Sequence, residues 1–360
     1  MTDIRTAFPS VSSRLVTTSR LSAQVFERPA DDAAAPDATI VFVHGNVSSS
    51  LFFLPLMSSL PASVRALAVD LRGFGGSETL PVDATRGLRD FSDDVASVLD
   101  ELGLGAVHLV GWSMGAGVVM QLLLDRPDLV ASLTLESPVS PYGFGGTRLD
   151  GSPLTPDAAG TGGGGANPEF VARLASGDRS EDEGTSPRAV YRSSYVAPGF
   201  TSEYEDLWVE SMLTTATGPG NYPGDSVASK SWPGFAAGRS GVLNTMAPIN
   251  FDVSGIVDLS SKPPITWIHG ELDAIVGDAS YFDLNMLGKA GIIPGWPGED
   301  VAPPQPMIAQ TRAVLDRYAA EGGTYRELRL EGCGHSPHLE RPDEFRAALL
   351  EQVGISVVER

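Results

Sequence analysis

The feature that most narrows what this chain can fold into is a serine set between two glycines, where an apolar run gives way to a helical one. Ala106-Val107-His108-Leu109-Val110 leads into Gly111-Trp112-Ser113-Met114-Gly115, and Val118 to Leu124 continues as an apolar helical run. A strand that turns straight into a helix at G-x-S-x-G holds its serine in a strained backbone, with the hydroxyl projecting and free helix N–H groups behind it. Glycines flank the serine because side chains there would collide with the neighbouring strand and helix. The bare pattern carries little weight in a chain with 40 glycines. The strand before it and the helix after it carry the weight.

The rest of the chain repeats that alternation. Ser13 to Pro29 suits two opening antiparallel strands. Ala38–Val43, Val64–Val69, Leu133–Glu136, Ile265–Ile268 and Tyr325–Leu330 read as further strands, several of them continuously apolar, as strands covered on both faces are. Ser50 to Leu60, Leu88 to Leu102 and Pro342 to about Val353 carry helical spacing. The fold class expected is α/β, a mostly parallel central sheet with helices on both faces. Two stretches break the rhythm. Between Glu136 and Ile265 no buried-strand pattern appears, so residues 139–262 are expected to form an inserted cap or lid on a core of 1–138 and 263–360. Its Gly160 to Ala166 run lacks the lysine of a phosphate loop and is expected to be a mobile loop or hinge. The second, Asn285 to Met307, is expected to wall one side of a pocket.

Composition excludes several partners. The formal net charge is −20 and only Lys230, Lys262 and Lys289 are lysines, so no clustered basic surface exists for nucleic acid or an anionic membrane. The single cysteine, Cys333, rules out an internal disulfide framework and fits a reducing compartment. No signal peptide and no spanning segment are visible, so a cytoplasmic location is expected. The sequence sets no oligomeric state; a homodimer is one option.

A serine hydroxyl needs a base to take its proton and a third group to orient that base. Of five histidines, His44 sits in a His-Gly turn and reads as a loop brace. His108 lies within the Ser113 strand, and His269 precedes the turn after its own strand. His335, in Gly332-Cys333-Gly334-His335, follows the last strand and is the base expected; His338 is the rival. Asp273, in Gly270-Glu271-Leu272-Asp273, follows the Ile265 strand and is the acid expected, with Asp278 and Glu136 as rivals. The chain order Ser113, Asp273, His335 matches that of an α/β-hydrolase triad.

With these segments, and with His44-Gly45-Asn46 and Asp70-Leu71-Arg72-Gly73-Phe74-Gly75-Gly76-Ser77, the chain resembles the α/β-hydrolase superfamily. The likeness is strongest to its cap-bearing, serine-esterase-like branch and covers about residues 38–138 and 263–355. The resemblance implies two oxyanion donors, the backbone N–H groups of Asn46 and Met114. The dehalogenases and epoxide hydrolases of that branch carry an aspartate where this chain has Ser113, which argues against both activities.

The function expected is hydrolysis of a carboxylic ester or lactone of a medium-sized hydrophobic molecule, with no metal and no organic cofactor. Trp112, Tyr142, Trp208, Trp232 and Trp296 are expected to line the substrate pocket. Two alternatives share the triad. A proline-iminopeptidase-like aminopeptidase would use carboxylates from Glu203, Glu205, Asp206 and Glu210 to hold an ammonium. The other alternative is hydrolysis of a carbon–carbon bond. A ligand receptor without catalysis is disfavoured because all three triad members are present.

Overall fold

A computed structural model describes residues 7–32, 35–181 and 184–355. Eight strands form one sheet: β1 (Ser12–Thr17), β2 (Ser22–Arg28), β3 (Ala38–Val43), β4 (Val64–Val69), β5 (Val107–Trp112), β6 (Val130–Glu136), β7 (Ile265–Gly270) and β8 (Tyr325–Leu330). Their order across the sheet is β1-β2-β4-β3-β5-β6-β7-β8. The pairs β1–β2 and β2–β4 are antiparallel, and all later pairs are parallel. The continuous apolar runs have the cause inferred for them. Ile40 to Val43 and every residue of β7 are buried, because helices cover both faces of the parallel part. Each such Val, Ile or Phe side chain contributes roughly 1.5–3 kcal/mol by leaving water. β8, at the edge, is charged instead: Arg326 pairs with Glu351, and Glu327 with Arg312.

The helices that matter for the site are α1 (Leu54–Ser59), α2 (Arg89–Glu101), α3 (Met114–Asp125), α4 (Pro168–Ser176), α5 (Glu205–Leu213), α6 (Met307–Ala320) and α7 (Pro342–Gln352). The helix expected from Ser50 opens as a 3-10 turn, Ser50–Phe53, capped by the Ser49 side chain, before α1 begins. In α3 every residue from Met114 to Leu123 is buried, so it is a core helix rather than an amphipathic surface one. Gly117 permits this packing, since a Cβ there would lie 2.6 Å from Leu88 and 2.7 Å from Val139.

The stretch between β6 and β7 contributes no strand to the main sheet. It holds α4, α5, short turns and four strands of two or three residues. It is fastened to the sheet side at several points, among them Ser211 Oγ to Ser49 Oγ at 2.6 Å and Tyr195 OH to Asn46 O at 2.9 Å. Near its end, Ser254–Asp258 packs against α3 and α6. Among the described residues no helix is long and apolar enough to cross a membrane.

Candidate active site

Ser113 follows β5 directly and caps α3 with φ 58° and ψ −119°, a backbone that L-residues rarely adopt and that stores roughly 1–3 kcal/mol. Its surroundings enforce that turn. Its N–H donates to Glu136 O at 2.9 Å, and its carbonyl accepts from Ala116 at 3.1 Å and Val139 at 3.2 Å. A Cβ on Gly111 would sit 2.5 Å from Ala116 Cα, and one on Gly115 2.2 Å from Val43 O. No side chain fits at either place, which is why the motif needs both glycines.

His335 and Asp273 meet from two neighbouring strand ends. Gly270 ends β7, and a Cβ on it would lie 2.0 Å from Gly334 O, so the turns after β7 and β8 touch through bare backbone. Across that contact His335 Nδ1 faces Asp273 Oδ2 at 2.8 Å, with both side chains 2% exposed. The other Asp273 oxygen accepts the N–H groups of Ile275 (2.8 Å) and Val276 (2.9 Å), which fixes the carboxylate. With Asp273 accepting at Nδ1, the lone pair of His335 is left on Nε2. The Trp112 indole N–H donates to His335 O at 2.9 Å and pins the histidine's backbone.

The His-Gly turn after β3 is braced by its own histidine. His44 Nδ1 lies 2.8 Å from Gly45 O and 3.2 Å from Ser48 Oγ, while Nε2 accepts the Leu71 N–H at 3.0 Å. Full burial lowers its pKa to about 4, so the ring stays neutral and keeps that acceptor. Gly45 lies against the serine; a Cβ there would be 2.9 Å from Ser113 Cβ. Asn46 and Met114 border the same cavity as Ser113, and neither backbone N–H has a protein acceptor among the described residues.

That cavity, of about 380 Å3, is bordered by both Ser113 and His335. Trp112, Val139, Phe144, Phe170, Leu243 and Met246 supply much of its apolar surface. Tyr281 and Phe282, 62% and 44% exposed, mark where it reaches the surface. Among the described residues no Asp, Glu, Lys or Arg lines it, and no group of three or more His, Cys, Asp or Glu could hold a metal ion.

Of the five aromatics expected in the pocket only Trp112 borders it. Trp208 is buried beneath, stacked on Phe52 at 5.0 Å. Tyr142 is turned onto Gly151, where a Cβ would lie 2.2 Å from its ring. Trp232 and Trp296 both pack on Gly288 of the short helix Leu284–Lys289, their indole N–H groups donating to Pro294 O (3.0 Å) and Ala302 O (2.9 Å). That helix places Leu284 and Leu287 in the cavity wall, so these two tryptophans stand one layer behind. The glycine run also departs from expectation. Gly160, Gly162 and Gly165 form part of the wall, and Asn244 Oδ1 accepts the Gly163 N–H at 2.8 Å. A Cβ on Gly162 would sit 2.1 Å from that same oxygen, so the glycines serve close packing rather than freedom.

The rival residues have other partners. Asp278 Oδ1 accepts the N–H groups of Ile308 and Ala309 in the first turn of α6. Glu136 Oε1 accepts both the backbone N–H of His338 (2.8 Å) and its ring Nδ1 (2.7 Å), deep in the core. His108 meets Ser132 Oγ at 2.8 Å, and His269 meets Glu327 at 2.9 Å while stacked on Trp267. Glu205 and Asp206 pair with Arg188, and Glu210 with Arg179; none of these carboxylates, nor Glu203, reaches the cavity.

Known proteins resemble this chain in sequence and fold. A family model described as "Alpha/beta hydrolase family" matches residues 40–348. The chain is 35% identical over 144 residues to the dihydrolipoyllysine-residue acetyltransferase component of the acetoin cleaving system of Cupriavidus necator, covering 33% of this chain and 37% of that protein. It is 29% identical over 104 residues to carboxylesterase YbfK of Bacillus subtilis, covering 29% and 35%. A 2-hydroxy-6-oxononadienedioate/2-hydroxy-6-oxononatrienedioate hydrolase of a Pseudomonas species is 28% identical over 130 residues, covering 35% and 42%. The matched region thus spans well under two thirds of each of these relatives. The solved structure of the Bacillus subtilis carboxylesterase superposes over 97% of this chain and 94% of its own, with a TM-score of 0.57 at 17% identity, which speaks for the fold. With a family match running from β3 into α7, the chain belongs to the alpha/beta hydrolase family.

Proposed function

We propose that this chain hydrolyses carboxylic esters or lactones of uncharged, medium-sized hydrophobic molecules through an acyl-serine intermediate. One observation carries the reading: Ser113 and His335, itself paired with Asp273, border one cavity whose described lining is mostly apolar and holds no Asp, Glu, Lys or Arg. Ser113 Oγ attacks the acyl carbon while His335 Nε2 takes its proton, and Asp273 holds Nδ1–H and steadies the imidazolium. The tetrahedral oxyanion falls between the N–H groups of Asn46 and Met114, where losing one donor costs about 2.7–4 kcal/mol of barrier. The alcohol leaves with the proton from His335. Water then repeats the sequence on the acyl-serine.

The same observation weighs against the alternatives. A dioate substrate, such as the Pseudomonas relative's name implies, carries carboxylates that a cationic side chain would have to meet. An aminopeptidase needs carboxylates at the substrate ammonium; Glu205, Asp206 and Glu210 are engaged with Arg188 and Arg179, and Glu203 does not border the cavity. The test is a parallel assay of neutral aryl esters of graded acyl length, lactones, alanyl and prolyl anilides, and a dioate ring-cleavage product. Neutral esters or lactones should turn over fastest; preference for the anilides or the dioate overturns the assignment.

A further inference from the structure

The segment between β6 and β7 does more than roof the cavity. Its Tyr195 is 6% exposed, borders the cavity, and points its hydroxyl at two successive carbonyls, Asn46 O at 2.9 Å and Val47 O at 3.2 Å. One proton is shared between them. Val47 needs such a hold, because it is β-branched and sits at φ 47°, a backbone that persists only when its surroundings over-determine it. The preceding carbonyl, Gly45 O, belongs to the same peptide as the Asn46 N–H and is already held by His44 and by Ser48 Oγ at 2.9 Å. Tyr195 therefore completes the fixing of this turn, one peptide further on.

The same residue grips the other half of the site. Its backbone carbonyl accepts the hydroxyl of Ser336 at 2.6 Å, next to His335. Two residues on, the Ala197 N–H donates to Glu340 Oε2 at 2.8 Å, and Glu340 also accepts the Gly334 N–H at 3.0 Å. The two backbones touch: a Cβ on Gly334 would lie 2.5 Å from Ala197 N. Between the two halves stands Trp112, its ring 5.8 Å from Tyr195 and 5.6 Å from His335. Burial pushes the Tyr195 phenol far up, so it stays a donor at any pH where an ester is assayed.

From these contacts we infer that Tyr195 is a positioning residue, locking the turn that carries the Asn46 N–H to the loop that carries His335; this rests on the serine-hydrolase reading above. The competing role is that of a pocket wall, which the ring alone would fill. Tyr195→Phe separates them, since it keeps the ring and removes only the hydroxyl.

The experiment measures kcat and KM of Tyr195→Phe on acetate and longer acyl esters. It also measures inhibition by a trifluoromethyl ketone, whose serine adduct carries an oxyanion. The expected result is a fall in kcat of about tenfold, smaller than the ~10²–10³ of a lost oxyanion donor, with KM within about twofold. The fall should be the same for every acyl length, and ketone affinity should drop by the same factor. An unchanged kcat, a change confined to KM, or a loss that grows with acyl length overturns the proposal. Should Tyr195→Phe fail to fold, as read by circular dichroism, Ser336→Ala decides: it releases the other end, and an unchanged kcat overturns the proposal equally. Ser113→Ala runs alongside. If it keeps full activity the hydrolase reading itself falls, whereas an inert Ser113→Ala beside an undiminished Tyr195→Phe removes only the role of Tyr195.

Discussion

Two histidines three residues apart, His335 and His338, each pair with a carboxylate, and the two pairs face very different surroundings. His335 meets Asp273 through Nδ1 at 2.8 Å, and His338 meets Glu136 through Nδ1 at 2.7 Å. Both pairs are buried, the second completely. The difference lies in the second nitrogen. His335 borders the cavity with Ser113, while the Nε2 of His338 has no hydrogen-bond partner among the described residues. Its ring packs among Phe53, Trp112 and Phe345 instead. A paired imidazole is therefore not a site in itself. What the free nitrogen faces decides between chemistry and structure.

That contrast breaks first at the proposed nucleophile, Ser113, and its proposed base, His335. Ser113→Ala and His335→Ala should each remove ester hydrolysis almost entirely, about 10⁶-fold if the residues act as a unit, and the double variant should be hardly worse than either. Steady-state rates with a neutral aryl ester check this, and additive losses would count against a shared mechanism. Asp273→Asn should fold normally and lose about 10⁴-fold in kcat, because an amide favours the wrong imidazole tautomer. If Glu136→Gln proves the more damaging of the two carboxamide changes, the roles of the two pairs are reversed.

His338→Ala should show the opposite profile. It strips the imidazole from the buried Glu136 carboxyl and leaves it only the backbone N–H at position 338, so chemical denaturation should report a loss of roughly 3–5 kcal/mol. Activity per folded molecule should fall less than about tenfold, well short of what a triad member costs.

The smallest effect expected concerns His44, a third buried histidine, which has no carboxylate at all. Its pKa in the folded chain is about 4 against an ordinary 6.5. As pH falls below about 6.5 the unfolded chain takes up a proton that the folded chain refuses. Stability is therefore lost from there down to about pH 4, by about 3 kcal/mol at the lower end. Denaturation midpoints of the native chain and of His44→Asn between pH 7 and pH 4 should converge on acidification. Parallel curves would mean that His44 does not titrate in this way.

The core half of the molecule was legible because its constraints are local. A strand buried on both faces writes itself as an unbroken apolar run, and the serine turn needs glycines at two fixed places. The meeting of His335 with Asp273 could be anticipated because parallel strands bring all their carboxyl ends to one edge. Helix α6 was missed: Met307, Thr311, Val314, Leu315 and Tyr318 do stand at helical spacing, but its polar face hides that pattern among charged residues. The pocket was not legible. Trp208 and Trp296 look like wall residues in sequence, but which aromatic faces the cavity depends on how the stretch between β6 and β7 crosses the sheet. The glycine run misleads for a related reason: a requirement for close backbone approach and a tolerance of motion are written with the same residue.

In the proposed chemistry Ser113 is activated by His335 rather than by the neighbouring His338. The most direct measurement is covalent labelling by a fluorophosphonate, with the modified peptide located by mass spectrometry, in the native chain, in His335→Ala and in His338→Ala. One phosphonyl group per chain is expected on Ser113, with labelling kept in His338→Ala and lost in His335→Ala. Labelling at another residue, or its loss in His338→Ala but not in His335→Ala, would contradict it.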